Sequence, residues 1–195
     1  MRQQNMILNR ESIVSHIMRN TSEDLQAIVT LLEKNFEMQA ISVIYSAIDR
    51  LAWLDAQDEE SGNKEFKGWL NKFFFNGESF DFNADDLWAA RCGNIHTGAA
   101  ESRAYRDKKA RLVYYHVNTE SIPNERLLAL IEPVASRVGV SVENIRLVDH
   151  YWLAKRLGKA ASRYEEYLGS IEIGKLKRVK AKAERQLSFQ AIKWA

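Results

Sequence analysis

At 195 residues the chain falls at the upper end of one domain, and folding at that size removes roughly 70% of the extended chain's surface. A composition of 46% hydrophobic and 28% charged residues is ordinary for a globular protein, so neither metal nor disulfide is needed to hold a core. The 28 basic and 26 acidic side chains leave a net charge of +2, which does not select for nucleic acid, and the lone Cys92 excludes an intrachain disulfide.

The first helical stripe, Ile13, Val14, Ile17 and Met18, spans 9–19. Asn20, Thr21 and Ser22 then read as a boundary, with Thr21 as N-cap and Asp24 three residues on. Leu25, Ile28, Val29, Leu32 and Phe36 resume the spacing. A broader apolar face over 38–54 predicts a buried helix that carries the charges Asp49 and Arg50 inside it. Residues 58–64 read as a turn, followed by a short amphipathic helix through Phe66, Trp69, Leu70 and Phe73. Asn76-Gly77 suits a type I′ turn, but its flanks are too short for a sheet. Residues 74–82 are therefore expected to be a loop whose aromatics dock on the core.

Asn83 is placed to cap a helix from 84 to 96 or 97, which Gly98 would end in a left-handed conformation. The charged stretch 101–110 suits a short helix or an ordered loop, and 111–117 is the one credible strand, read as an extended connector for want of a partner. Helical spacing returns over 124–138, where Pro133 predicts a kink or break. Ser141 is read as the N-cap of the longest helix, running through Ile145, Val148, Trp152, Leu157 and Leu168 to Gly169. A last amphipathic helix over 174–192 is expected to pack on the body or on a second subunit.

The expected fold class is all-α, one domain over 1–195, with no repeat and no linker. No window approaches the roughly 20 apolar residues of a bilayer span, and no leader peptide is visible, so a cytoplasmic chain without membrane contact is expected. Two charge blocks stand out: Asp55, Asp58, Glu59 and Glu60, and near the C-terminus Lys175, Lys177, Arg178, Lys180, Lys182 and Arg185. The second block suits salt-sensitive RNA phosphate contacts, or equally the solvated face of a packing helix.

The run that suits chemistry is Asp86-Leu87-Trp88-Ala89-Ala90-Arg91-Cys92-Gly93-Asn94-Ile95-His96-Thr97. Arg91 and His96 lie five positions apart, about 140° around the helix and about 7.5 Å along it. Both can border one groove, where Gly93 removes bulk. A permanently charged guanidinium matches the non-bridging oxygens of a phosphodiester, and an imidazole with an ordinary pKa of about 6.5 moves a proton at neutral pH. The pair suits RNA cleavage in which the 2′-hydroxyl is the nucleophile, with no metal or other cofactor. Asp49 and Asp86 are candidate supports, able to orient His96 or anchor Arg91. Glu101 and Ser102 are close enough to line the groove, and Arg103 and Arg106 to meet phosphates. Plain structural roles are also open: an ion pair for Arg91 with Asp86 or Asp49, and a helix-end hydrogen bond for His96. The four histidines are too dispersed for zinc, and Cys92 suits a small buried residue more than a nucleophile.

This run resembles the R-x4-6-H signature of the HEPN superfamily of compact helical bundles. The context Ala-Ala-Arg-Cys-Gly-x-x-His-Thr-Gly, with Ile48-Asp49-Arg50-Leu51-Ala52-Trp53, resembles a branch of small uncharacterised bacterial members, and the likeness covers roughly 38–117. It implies a HEPN-like bundle with additional C-terminal helices over 124–195. It also implies a metal-independent endoribonuclease working at a homodimer interface, with Arg91 and His96 as the motif residues and Asn94 at a variable polar position. A toxin or phage-defence setting with a protein antitoxin or inhibitor is implied as well. Cys92 departs from the Asn, Asp or His that often follows the arginine. Other members are non-catalytic RNA- or protein-binding modules, which is the alternative function.

Overall fold

The computed structural model describes residues 2–97, 102–116 and 124–186, the side chains of 2–9, 96, 97, 124, 125, 127 and 128 excepted. It is mostly helical, as the periodicity predicts. No helix among the described residues is long and apolar enough to cross a membrane.

Helix α1 (Arg2–Glu33) runs unbroken through the boundary expected at 20–22. Thr21 is buried and caps nothing. Its neighbour Ser22 turns its hydroxyl back to the Met18 carbonyl, 3.3 Å away, so the helix satisfies it internally. Asn35, in the left-handed region at φ 58°, ends α1 through paired bonds from Phe36 N to Leu31 O (2.8 Å) and Asn35 N to Leu32 O (3.1 Å).

Helix α2 (Glu37–Asp55) buries Ile41, Ile44, Ile48 and Leu51 completely and is the centre of the molecule. Helices α1, α7 (His150–Ser170) and α8 (Ile173–Ala183) pack around it as a bundle. Helix α3 (Asn63–Trp69) widens into a π-helical turn, Leu70–Phe75, which places three successive phenylalanines in the core. Its open carbonyls are met from α7. Arg156 donates to Phe74 O (2.7 Å) and Phe75 O (3.0 Å), and Arg163 to Phe73 O (3.0 Å).

The turn after it has Asn76 and Gly77 at φ 50° and 78°, the positive pair that Asn-Gly adopts readily. The following loop docks as expected, with Phe80 and Phe82 edge-on to Trp152 at 5.1 and 5.6 Å. Glu78 in this loop accepts from Arg156 at 2.6 and 3.1 Å, which holds its carboxyl below the ordinary value of 4.5. The folded state therefore binds this proton less readily than the unfolded chain, so the contribution is full above pH 4.5 and is lost on acidification. A Glu78→Gln variant should show a flatter acid limb in pH-dependent urea unfolding.

Helix α4 (Ala84–Thr97) and the single turn α5 (Arg103–Arg106) lead to the strand β1 (Leu112–His116). That strand is not an isolated connector. It pairs in parallel with β2 (Ile145–Asp149), Leu112 opposite Ile145 and His116 opposite Asp149. The helix expected to open at Ser141 is corrected accordingly: 142–144 form one 3₁₀ turn, β2 follows, and α7 starts only after Asp149, whose carboxylate accepts from Trp152 N at 2.9 Å. Helix α6 (Asn124–Val138) lies between the two strands in the chain, the kind of crossover parallel pairing demands. It passes through Pro133 without breaking. Pro133 and Ala129 four residues earlier are both exposed, where water can satisfy the carbonyl the proline leaves without a donor. Leu112, Ala135 and Ile145 form a small second core beneath this unit.

The last helix is shorter than 174–192. It ends at Ala183, with a turn through Gln186, and 187–192 lie outside the described residues. Leu176, Val179 and Ala183 are buried, and the helix packs against α1 and α2.

Candidate functional site at the α2–α4 seam

Helix α4 is fixed at its start by a reciprocal cap. Asn83 Oδ1 accepts from Asp85 N (2.9 Å) and Asp86 N (3.1 Å), while Asn83 N donates to Asp86 Oδ2 (3.1 Å). The same Asp86 carboxylate, 1% exposed, accepts from the main chain of Arg111 at 2.8 Å and from its guanidinium at 2.5 Å. Asp86 therefore ties α4 to the head of β1. It sits about 7.5 Å along the axis from Arg91, and its oxygens accept from Asn83 and Arg111.

Two turns of α2 supply the other wall. Ser42, Tyr45 and Asp49 recur at spacings of three and four, so they share a stripe, and each meets a polar partner on α4 or β1. The Ser42 hydroxyl lies 2.9 Å from Asn94 Oδ1 and 3.0 Å from the Met38 carbonyl. Tyr45 and Tyr115 share a hydroxyl contact of 2.5 Å, and burial pushes both phenols well above the ordinary 10.0, so they stay neutral at physiological pH. Asp49 Oδ2 accepts from Arg91 Nε at 2.8 Å and lies 2.7 Å from its second guanidinium nitrogen. Trp88, one turn back on α4, places its ring 5.2 Å from the guanidinium carbon. Burial disfavours the Arg91 charge, but Asp49 more than offsets this and holds the pKa above its ordinary value.

The structure thus brings together Asp49, Arg91 and Asn94, three of the predicted site residues. His96 lies in the last turn of α4; its side chain, and all of Glu101, are outside the described residues. Ser102 is buried and serves as the N-cap of α5, its Oγ accepting from Tyr105 N at 3.3 Å. Cys92 is half-buried beside Arg91. Arg103 projects into solvent with its Nε 3.8 Å from Asp107, and Arg106 is also exposed. Among the described residues, no three His, Cys, Asp or Glu side chains are grouped to hold a metal ion.

The C-terminal basic block does not form one surface. Lys182 is 2% exposed, and its ammonium donates to the carbonyls of Trp53, Ala56 and Asp58 at 2.6–2.9 Å, which closes the end of α2 instead of presenting the charge to solvent. Lys175 meets Tyr167 and lies 3.5 Å from Asp55, Lys180 pairs with Glu184, and Arg185 lies 2.5 Å from Glu59. Only Lys177 and Arg178 of the six stand exposed with no acidic neighbour among the described contacts. The acidic and basic blocks of the sequence largely face each other.

Sequence reasoning missed Ser42, Tyr45 and Tyr115, although the 42–45–49 spacing on a helix already carrying Asp49 was visible. It also passed over Arg111 as a mere strand start.

No family model, curated protein or solved structure matches the chain. The seam itself is what a functional reading rests on.

Proposed function

We propose that the protein is a metal-independent endoribonuclease whose site is the α2–α4 seam, with Arg91 and His96 as its reacting pair. One observation carries the reading: Asp49 clamps the Arg91 guanidinium from α2, on the helix whose last turn bears His96. A guanidinium held in place by an ion pair keeps its charge and loses little freedom when it meets a phosphate. His96 takes the proton of a ribose 2′-hydroxyl, whose oxygen attacks phosphorus. The 5′-oxygen leaves with a proton from an imidazolium, giving a 2′,3′-cyclic phosphate and a 5′-hydroxyl. Arg91 stabilises the charge that gathers on the non-bridging oxygens. A two-fold homodimer, as the HEPN resemblance implies, supplies one imidazole as base and its mate as acid.

The test incubates single-stranded and transfer RNAs with the protein in a chelator and examines the product termini. Cleavage should leave cyclic phosphates, and His96→Ala should lower its rate by roughly 10²–10⁴-fold. Equal cleavage by that variant would assign the activity elsewhere. No cleavage by correctly folded wild-type protein would leave the non-catalytic binding module, for which the Asp49–Arg91 pair is a clamp between helices.

A further inference from the structure

A cavity of about 480 Å³ opens between the start of α4, the turn joining α5 to β1, and Asn144. Arg106, Lys108, Lys109 and Arg111 line it, against a single carboxylate, Asp86. That carboxylate is saturated by Arg111 and the cap of α4, so it cancels one of the four cations and offers nothing further to a ligand. Asp107, just outside, lies 3.8 Å from both Lys109 and Arg103. Arg106 and Lys108 stand exposed with no acidic partner among the described contacts.

The backbone adds an independent observation. Lys109 N donates to Ala104 O at 2.9 Å and Lys108 N to Tyr105 O at 2.8 Å, the paired bonds of a helix stop whose pivotal residue is left-handed. That residue is Lys108, at φ 57°. Glycine takes this conformation freely and asparagine tolerates it, as Asn35 and Asn76 do elsewhere in the chain. A lysine there is conformationally unfavourable, and this one lines the cavity.

We infer that this cavity is a phosphate-binding subsite, in which Arg106 and Lys108 hold the backbone of a single-stranded RNA. The inference rests on the RNA reading of the α2–α4 seam and deepens it. The cavity borders the first turn of α4, and His96 lies ten positions on in the same helix, about 15 Å along the axis, a span of a few nucleotides. One helix thus links the place where the strand is gripped to the place where it is cut.

The experiment uses the full chain and a short labelled 2′-O-methyl oligoribonucleotide, which has no free 2′-hydroxyl and so binds without being cut. Anisotropy titrations over a range of salt compare wild type with R106A/K108G. Glycine at 108 relieves the left-handed strain, so the double variant should melt no lower than wild type. It should bind at least about tenfold more weakly, with the log–log salt slope reduced by about 1.4 for two lost single-strand phosphate contacts. Unchanged affinity and slope in R106A/K108G would overturn the subsite even if H96A abolishes cleavage. Weakened binding in R106A/K108G from a wild-type protein that never cuts RNA would keep the subsite and remove the nuclease reading. No binding by wild type would overturn the subsite.

Discussion

Replacing Lys182 with methionine is expected to destabilise the protein by roughly 3 kcal/mol. Helix α2 ends at Asp55, and its last carbonyls have no partners within the helix. Lys182 reaches this end from α8, donating to Trp53 O at 2.9 Å within the helix and to Ala56 O at 2.8 Å and Asp58 O at 2.6 Å just past it, with its ammonium also 5.3 Å from the Trp53 ring. Three charge-assisted bonds would be worth more than 3 kcal/mol if all were lost in a dry interior. Asp58 is exposed, however, so water replaces part of what methionine removes. Methionine keeps the apolar stem and the packing, which confines the loss to the polar head. For a domain of 195 residues the corresponding fall in melting temperature is about 6–12 °C, read by calorimetry or circular dichroism. Lys182→Arg should recover only part of it, because a planar fork does not converge on three acceptors as an ammonium does. A methionine variant melting with wild type would mean that the end of α2 is held by something else.

That residue also shows where sequence reasoning stops. The block containing Lys182 was legible as a run of cations at helical spacing, and 55–60 as a run of acids. Their meeting was not, because Arg185 with Glu59 and Lys175 with Asp55 depend on how α8 crosses the end of α2. Elements defined by local chemistry were legible: the broad apolar face of α2, the Asn83 cap of α4, and the docked aromatics after Asn76-Gly77. The helical class followed from these.

The parallel sheet was hidden by an ambiguity of spacing. Ile145, Val148 and Trp152 stand three and four apart, as on a helix, while Ile145-Arg146-Leu147-Val148 also fits a short strand. Pairing with 112–116, more than thirty positions earlier, decided between them, and no local pattern contains that information. The expected break at 20–22 failed for the opposite reason. Asn20-Thr21-Ser22 offers good capping chemistry, but burying Thr21 on α1 overrode it. Of the site, Arg91 with Asp49 was among the pairings foreseen, since a carboxylate set among Ile44, Ile48 and Leu51 needs a cation nearby. The pairing of Asp86 with Arg111 was not, because Arg111 carried no mark except its place before a strand.

Asp86→Ala should prove as damaging as any single change in the chain, at roughly 3–4 kcal/mol. The carboxylate answers two main-chain donors, Asn83 N and Arg111 N, as well as the Arg111 guanidinium. Alanine leaves those N–H groups without acceptors and strands a cation whose side chain is 27% exposed. Partial exposure keeps the cost near the lower end of what breaking a buried pair entails. Asp86→Asn retains an acceptor oxygen but removes the charge, so it should fall between alanine and wild type. The informative comparison is Asp86→Ala with Asp86→Ala/Arg111→Met. Removing the guanidinium as well abolishes the unpaired charge, so the double variant should be less unstable than the sum of the two single changes, with a coupling of roughly 1–2 kcal/mol in urea unfolding. Additive losses would mean that Arg111 contributes nothing through Asp86. Stability and the proposed strand contact meet at this pair, because Arg111 also lines the cationic cavity. By holding Arg111 at the head of β1, Asp86 couples the pose of α4, and with it Arg91 and His96, to the surface proposed to grip the strand.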